Sequence, residues 1–228
     1  MKTIGILKCG AVPEELRDDH GDYDIMFTDL LGPDFNYKIY DVEHNQLPSS
    51  ATDADGWLIT GSRHGAYEPH PWIPPLEQIL RDAYKQSIPI VGVCFGHQIL
   101  AQALGGKVEK FSQGWSVGPV AYEMKNEATP SIVNAMHQDQ VIEAPADAET
   151  IGSTDFCKHA VLSYGRKALT IQPHPEFNRE YTFDLVKYRR ELIANEPLVE
   201  YALEHSDQPL SQHRWAMEFR KFFSENTN

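Results

Sequence analysis

Only three of the 228 residues are cysteine, Cys9, Cys94 and Cys157, and no two form a CxxC pair. An odd number at wide spacing argues against a disulfide framework and against a Cys-based zinc site, and it fits a reducing, cytoplasmic setting. Positive charge is scarce as well. Twenty Lys and Arg stand against 33 Asp and Glu, for a formal net charge of −13. Nucleic acid and anionic membrane surfaces would repel such a chain, so neither is expected as a partner. A small-molecule substrate is compatible with this balance, because a pocket can hold a field unlike the global average. No apolar run approaches the roughly 20 residues of a membrane span. The opening MKTIGILKCG ends its apolar stretch within a few residues and has no cleavage site of the secretory kind. There is no GxxxxGK[ST] or GxGxxG segment, and the ten histidines, among them His64, His70, His137 and His159, never fall at HxxxH or HExxH spacing. Neither a metal nor a cofactor is therefore expected.

Short β-rich runs alternating with helical patterns are what the chain does have. TIGILKC (3–9), YKIYDVE (37–43), ADGWLITG (54–61) and IPIVGVC (88–94) read as strands, the last a central one covered on both faces. WIPPLEQILRDAYKQ (72–86) has helical spacing at Leu76, Ile79, Leu80 and Ala83, with its prolines confined to the start. FGHQILAQAL reads as a helix stopped by Gly105–Gly106. Between Lys107 and Thr170, VGPVAYEM, ETIGSTD and KHAVLSYG suggest antiparallel additions. From Arg179 onward YTFDLVKYRRELIAN, LVEYALEHS and HRWAMEFRKFFSE are amphipathic helices. The expectation is an α/β fold: a flavodoxin-like open, mostly parallel sheet with helices on both faces, antiparallel additions and a C-terminal helical extension.

Gly92-Val93-Cys94-Phe95-Gly96 has the form G-x-C-x-G between a strand and a helix. Small neighbours let a chain bend sharply there and lift the side chain between them, and the first amides of the following helix favour thiolate over thiol. The plain alternative for Cys94 is a packed core thiol. A nucleophile needs a base, and the base needs an orienting group. QPHPEF (172–177) offers both, because His174 and Glu176 lie two apart in a stretch that Pro173 and Pro175 hold extended, so their side chains leave on one face.

With GVCFGHQ followed some eighty residues later by HPE, the chain resembles the class I (triad-type) glutamine amidotransferases, a family that also hosts γ-glutamyl hydrolases and peptidases. The resemblance runs from the first strand to about Phe177. It implies an amidotransferase-like domain over 1–178 and a helical extension, 179–228, packed on the same domain. It also implies Cys94 as nucleophile, His174 as base and later acid, and Glu176 as orienter. LITGSRHGAYE (58–68) matches the family's oxyanion turn, so Gly61 and Phe95 would supply oxyanion amides; the family often has a second glycine or a proline where this chain has Ser62-Arg63. Gln98, Ser62, Trp115 and Ser116 match the substrate-contacting segments, and MHQDQV (136–141) matches a recurrent block in which His137 supports the site from outside the triad.

The expected reaction is hydrolysis of a γ-glutamyl amide, in glutamine or a γ-glutamyl peptide, through a thioester. Ammonia as leaving group would make the chain a glutaminase serving a separate synthetase chain, since no ATP-binding motif is present. An amino acid or peptide as leaving group would make it a stand-alone peptidase. A third reading, from another class, is a non-catalytic α/β binding module.

Overall fold

The computed structural model describes residues 1–226. Its main sheet has nine strands, numbered along the chain as β1 (Thr3–Lys8), β2 (Asn36–Asp41), β3 (Gly56–Ile59), β4 (Ile90–Val93), β6 (Ser116–Met124), β7 (Ser131–His137), β9 (Glu149–Ser153), β10 (Val161–Ser163) and β11 (Ala168–Ile171). The spatial order is β2-β1-β3-β4-β11-β10-β9-β6-β7. From β2 to β11 every pairing is parallel; from β11 to β7 every pairing is antiparallel. A separate antiparallel pair, β5 (Lys107–Lys110) with β8 (Asp139–Glu143), lies beside it. The sheet is thus an open α/β sheet, mostly parallel through its centre, with antiparallel strands added on one side.

Period-two alternation assigns the faces. On one face Leu7, Trp57, Ile59 and Ile90 meet α3 (Ile73–Lys85) and α4 (Phe95–Ala103) through Leu76, Leu80, Phe95, Ile99 and Leu100. On the other, Ile4, Ile6, Leu58, Val91 and Val93 meet α2 (Tyr23–Leu31) and α8 (Gln212–Asn226) through Phe27, Leu31, Trp215, Phe219 and Phe223. A third apolar cluster joins Val117 and Met136 to α5 (Arg179–Tyr188), α6 (Arg190–Ile193) and α7 (Glu196–Glu204) through Tyr181, Leu185, Val186, Ile193 and Val199.

Two segments depart from the sequence expectation. Residues 14–31, which no periodicity flagged, form α1 (Glu14–His20) and α2. α1 buries none of its residues, so it carries no apolar stripe to read. Gly21, at φ 75°, breaks the two helices apart, and the Asp22 carboxylate accepts the Tyr23 amide to start the second. The single helix expected over 181–195 is instead interrupted at Arg189 and stopped by Ala194 in the left-handed region. No proline or glycine stands at the interruption; the kink returns Ile193 to the cluster that already holds Leu185 and Val186. Among the described residues no helix is long and apolar enough to cross a membrane.

Candidate active site

β3, β4 and β11 are adjacent and parallel, so the turns that follow them open on the same edge of the sheet, where ligands of open α/β folds are bound. Those turns carry Gly61, Cys94 and His174. Cys94 takes φ 52°, ψ −102°, a strained backbone for a side-chain-bearing residue, and its N–H donates to the Ile171 carbonyl at 2.9 Å. Glycine on both sides permits the turn. A Cβ at Gly92 would stand 2.6 Å from the Gly96 carbonyl oxygen, and one at Gly96 would stand 2.4 Å from the Ile59 carbonyl oxygen. The Gly96 amide is spent on the Thr60 carbonyl at 3.2 Å, whereas Phe95, the first residue of α4, has one of the amides that a helix leaves without an internal acceptor.

His174 is fixed from four sides. Its backbone N–H donates to the Asn134 carbonyl on β7 at 2.8 Å, the bridge that ties the loop after β11 to the far strand of the sheet. The Asn134 side chain in turn donates to the Phe177 carbonyl at 3.1 Å. The Phe177 ring lies flat on the imidazole, 3.9 Å between centroids and 5° between planes. Nδ1 of His174 stands 2.7 Å from Glu176 Oε1, and the Cys94 sulfur is near enough to act on the charge of the imidazole. The position Gly61 would give a Cβ lies 2.9 Å from His174 Cε1 and 3.8 Å from Cys94 Cβ, so the three turns converge on one point.

Electrostatics separates this histidine from the other buried ones. Burial alone would lower the His174 pKa, but the Glu176 carboxylate, the Cys94 sulfur and the hydrogen bond to Glu176 reverse that and raise it. His97 and His137, buried without a carboxylate partner, are pushed down to about 3 and stay neutral. Burial pushes the Cys157 thiol up to about 12, and burial, with Glu43 and Asp41 nearby, pushes Cys9 up as well, so both remain protonated.

A cavity of about 200 Å³ opens over Cys94 and is lined by Ser62, Gln98 and Trp115, among others. Both amide protons of Gln98 are committed, to the Asp139 carbonyl at 3.0 Å and to Gln172 Oε1 at 3.1 Å, which leaves its carbonyl oxygen for any ligand. Ser116 is placed elsewhere: it pairs with His137 across β6 and β7 and lines a neighbouring cavity on the other side of Trp115. Residues that the sequence did not single out also hold the site, above all Asn134, Thr60 and Gln172. Thr60 accepts the Cys9 amide at 3.0 Å and donates to the Gly61 carbonyl at 2.9 Å, which fixes the turn after β3. His64 and Glu68 line the cavity, and their ligand atoms and that of His70 fall within 4.8 Å of one another, a grouping able to hold a cation that spacing alone did not suggest.

A cysteine on a strand-to-helix turn, facing a histidine–carboxylate pair at the C-terminal edge of a mostly parallel sheet, defines a class of α/β proteins built around one thiol. Within it the chain belongs to the class-I glutamine amidotransferase family, whose model matches residues 31–184. A putative glutamine amidotransferase-like protein of Schizosaccharomyces pombe is 31% identical over 97% of this chain and 98% of its own. Gamma-glutamyl peptidase 3 of Arabidopsis thaliana is 28% identical over 81% of each chain. A glutamine amidotransferase crystal structure from Methylobacillus flagellatus superposes with a TM-score of 0.77 at 19% identity, covering 100% of this chain and 96% of that one, and shares the fold.

Proposed function

We propose that the chain is a cysteine-dependent hydrolase of γ-glutamyl amide bonds, with Cys94, His174 and Glu176 as its triad. The observation that carries this reading is the convergence of Cys94 with the hydrogen-bonded His174–Glu176 pair, from two turns of adjacent strands, on the point facing Gly61. A thiolate at Cys94 attacks the γ-carbonyl carbon; the S–C bond forms and the carbonyl oxygen becomes an oxyanion. The Phe95 amide and the turn at Gly61 stabilise that charge. Collapse of the adduct breaks the C–N bond, and the amine leaves with the proton held on His174. Water then adds to the thioester while His174 takes one of its protons. The S–C bond breaks to release glutamate and restore the thiolate–imidazolium pair. Glu176 keeps the proton on Nδ1, so that Nε2 serves the sulfur and the leaving amine.

The relative named as a γ-glutamyl peptidase, matched over 81% of this chain, supports an amide with a leaving group larger than ammonia. The deciding experiment offers the purified chain glutamine and several γ-glutamyl peptides side by side and follows glutamate and ammonia. Glutamate from at least one of them is expected. Ammonia from glutamine only, and only with a second chain added, would move the protein to the synthetase-subunit reading; silence on all substrates would overturn the proposal.

A further inference from the structure

The kink between α5 and α6 puts Arg189 on the wall of the cavity over Cys94, five residues beyond the segment the family model matches. The same side chain lines a second, larger cavity of about 630 Å³. Trp115, Arg63 and Leu192 also border both spaces, so the two are contiguous. Arg189 is half-buried, and its guanidinium has no ion pair or hydrogen bond among the described residues. Its neighbours are engaged. Arg63 meets Glu43 at 2.9 Å, Arg17 is 3.9 Å from Asp22, and Arg190 is held by Glu196 and Glu200. Lys110, another cation of the first cavity, is exposed and does not reach the second.

A guanidinium stays charged at any working pH, and burying one without a partner is costly, so an unpaired, half-buried arginine at the junction of two cavities calls for an anion. The junction also fixes where that anion sits on a substrate. The space over the sulfur is small and takes the glutamyl group. The adjoining space falls in the range of ligand pockets, about 300–1,000 Å³, and ammonia would leave it unused. Three carboxylates also line it: Glu14 and Glu15 are exposed, and Glu43 is held by Arg63.

Resting on the γ-glutamyl hydrolase reading above, we propose that Arg189 binds the carboxylate of the leaving group. The substrate is then a γ-glutamyl amino acid or short γ-glutamyl peptide with a free C-terminus, and the C-terminal helices supply the wall that selects it. The reaction is the hydrolysis already written, with an amino acid or peptide departing in place of ammonia.

Binding tests this independently of turnover. In a Cys94→Ala background, a γ-glutamyl dipeptide with a free C-terminus should bind about 10- to 100-fold more tightly than the same compound with an amidated C-terminus, the range for a charge-assisted pair. Arg189→Met should abolish that preference and Arg189→Lys should restore part of it, with thermal midpoints unchanged. Kinetics on the otherwise native chain should show Arg189→Met raising KM for the free acid while the amide and glutamine are unaffected. Equal loss for acid and amide would mean that Arg189 reads the glutamyl group or holds the fold, and would overturn the proposal, as would no loss for either. A carboxylate preference in binding without any turnover would sink the hydrolase reading and leave the anion site standing.

Discussion

The parallel and antiparallel halves of the main sheet serve the candidate site in different ways. β3, β4 and β11 are buried at every position, so their own side chains face the two cores and none is available to a ligand. They contribute backbone: three parallel strands that end together and hold the turns bearing Gly61, Cys94 and His174 at a fixed separation. β6 and β7 are covered less uniformly and lie further out. From β7 come Met136 and His137 in the cavity wall, and Trp115 immediately precedes β6. The chemistry is thus placed by strands whose register cannot slip without turning apolar residues to the wrong core, whereas the walls come from elements free to vary. The one exception is Asn134, through which the outer half reaches in and holds His174.

The largest expected effect falls on the sulfur. Cys94→Ala should lower kcat/KM by about four to six orders of magnitude, the range for removing a nucleophile from a concerted set, while circular dichroism and the thermal midpoint stay close to wild type. Residual turnover within tenfold of wild type would break the claim that the parallel edge carries the chemistry. Next is Glu176→Gln. The His174 pKa is raised because Glu176, with Cys94, outweighs burial, so the imidazolium persists well above the usual histidine range and is lost only as pH rises through that raised value. Its contribution to stability is accordingly complete below the unfolded value of about 6.5 and disappears on the alkaline side. Removing the carboxylate charge should move the alkaline limb of kcat/KM to lower pH and cost about 10²- to 10⁴-fold in rate. An alkaline limb that stays where it was would show that Glu176 does not set the state of His174.

A third change addresses structure before catalysis. Gly96→Ala drives a methyl into the Ile59 carbonyl, backbone that cannot step aside without moving β3. A loss of about 1–3 kcal/mol is expected, read as a lower denaturant midpoint at unchanged m-value. Full stability would show that the elbow is looser than its contacts require.

The parts of this site that could be read from sequence are those that local chemistry dictates. G-x-C-x-G marks a tight turn because only glycines fit beside backbone at 2.4–2.6 Å, and the prolines around His174 restrict two residues whatever the rest of the chain does. The central strands were legible for a similar reason, since a short apolar run bounded by Gly or Pro has few other homes. α1 was not, because a seven-residue helix with no buried position leaves no pattern. Nor were Asn134, His64, Glu68 and Arg189. Each matters only through a pairing that strand order or a helix kink creates, across as many as forty residues in the case of Asn134 and His174, and no spacing rule encodes such a meeting.

Asn134 therefore supplies the smallest and most discriminating test of the two-halves comparison. Its backbone carbonyl would survive Asn134→Ala, so the bridge to the His174 amide remains; what goes is the side-chain bond to the Phe177 carbonyl at 3.1 Å, and with it one restraint on the ring that lies against the imidazole. Losing a single buried hydrogen bond whose acceptor keeps a second donor should cost about 0.5–1.5 kcal/mol of stability. If the outer half only builds walls, KM should change and kcat should not. If it also aims the base, kcat should fall several-fold with KM nearly constant, and Asn134→Asp, which keeps the shape but cannot donate when ionised, should fail to rescue it. The hydrogen bonds around Phe177 favour the second outcome: Gln212 also donates to its carbonyl, at 2.9 Å, so that oxygen keeps one donor in the variant and the fold should persist while the histidine loses its alignment.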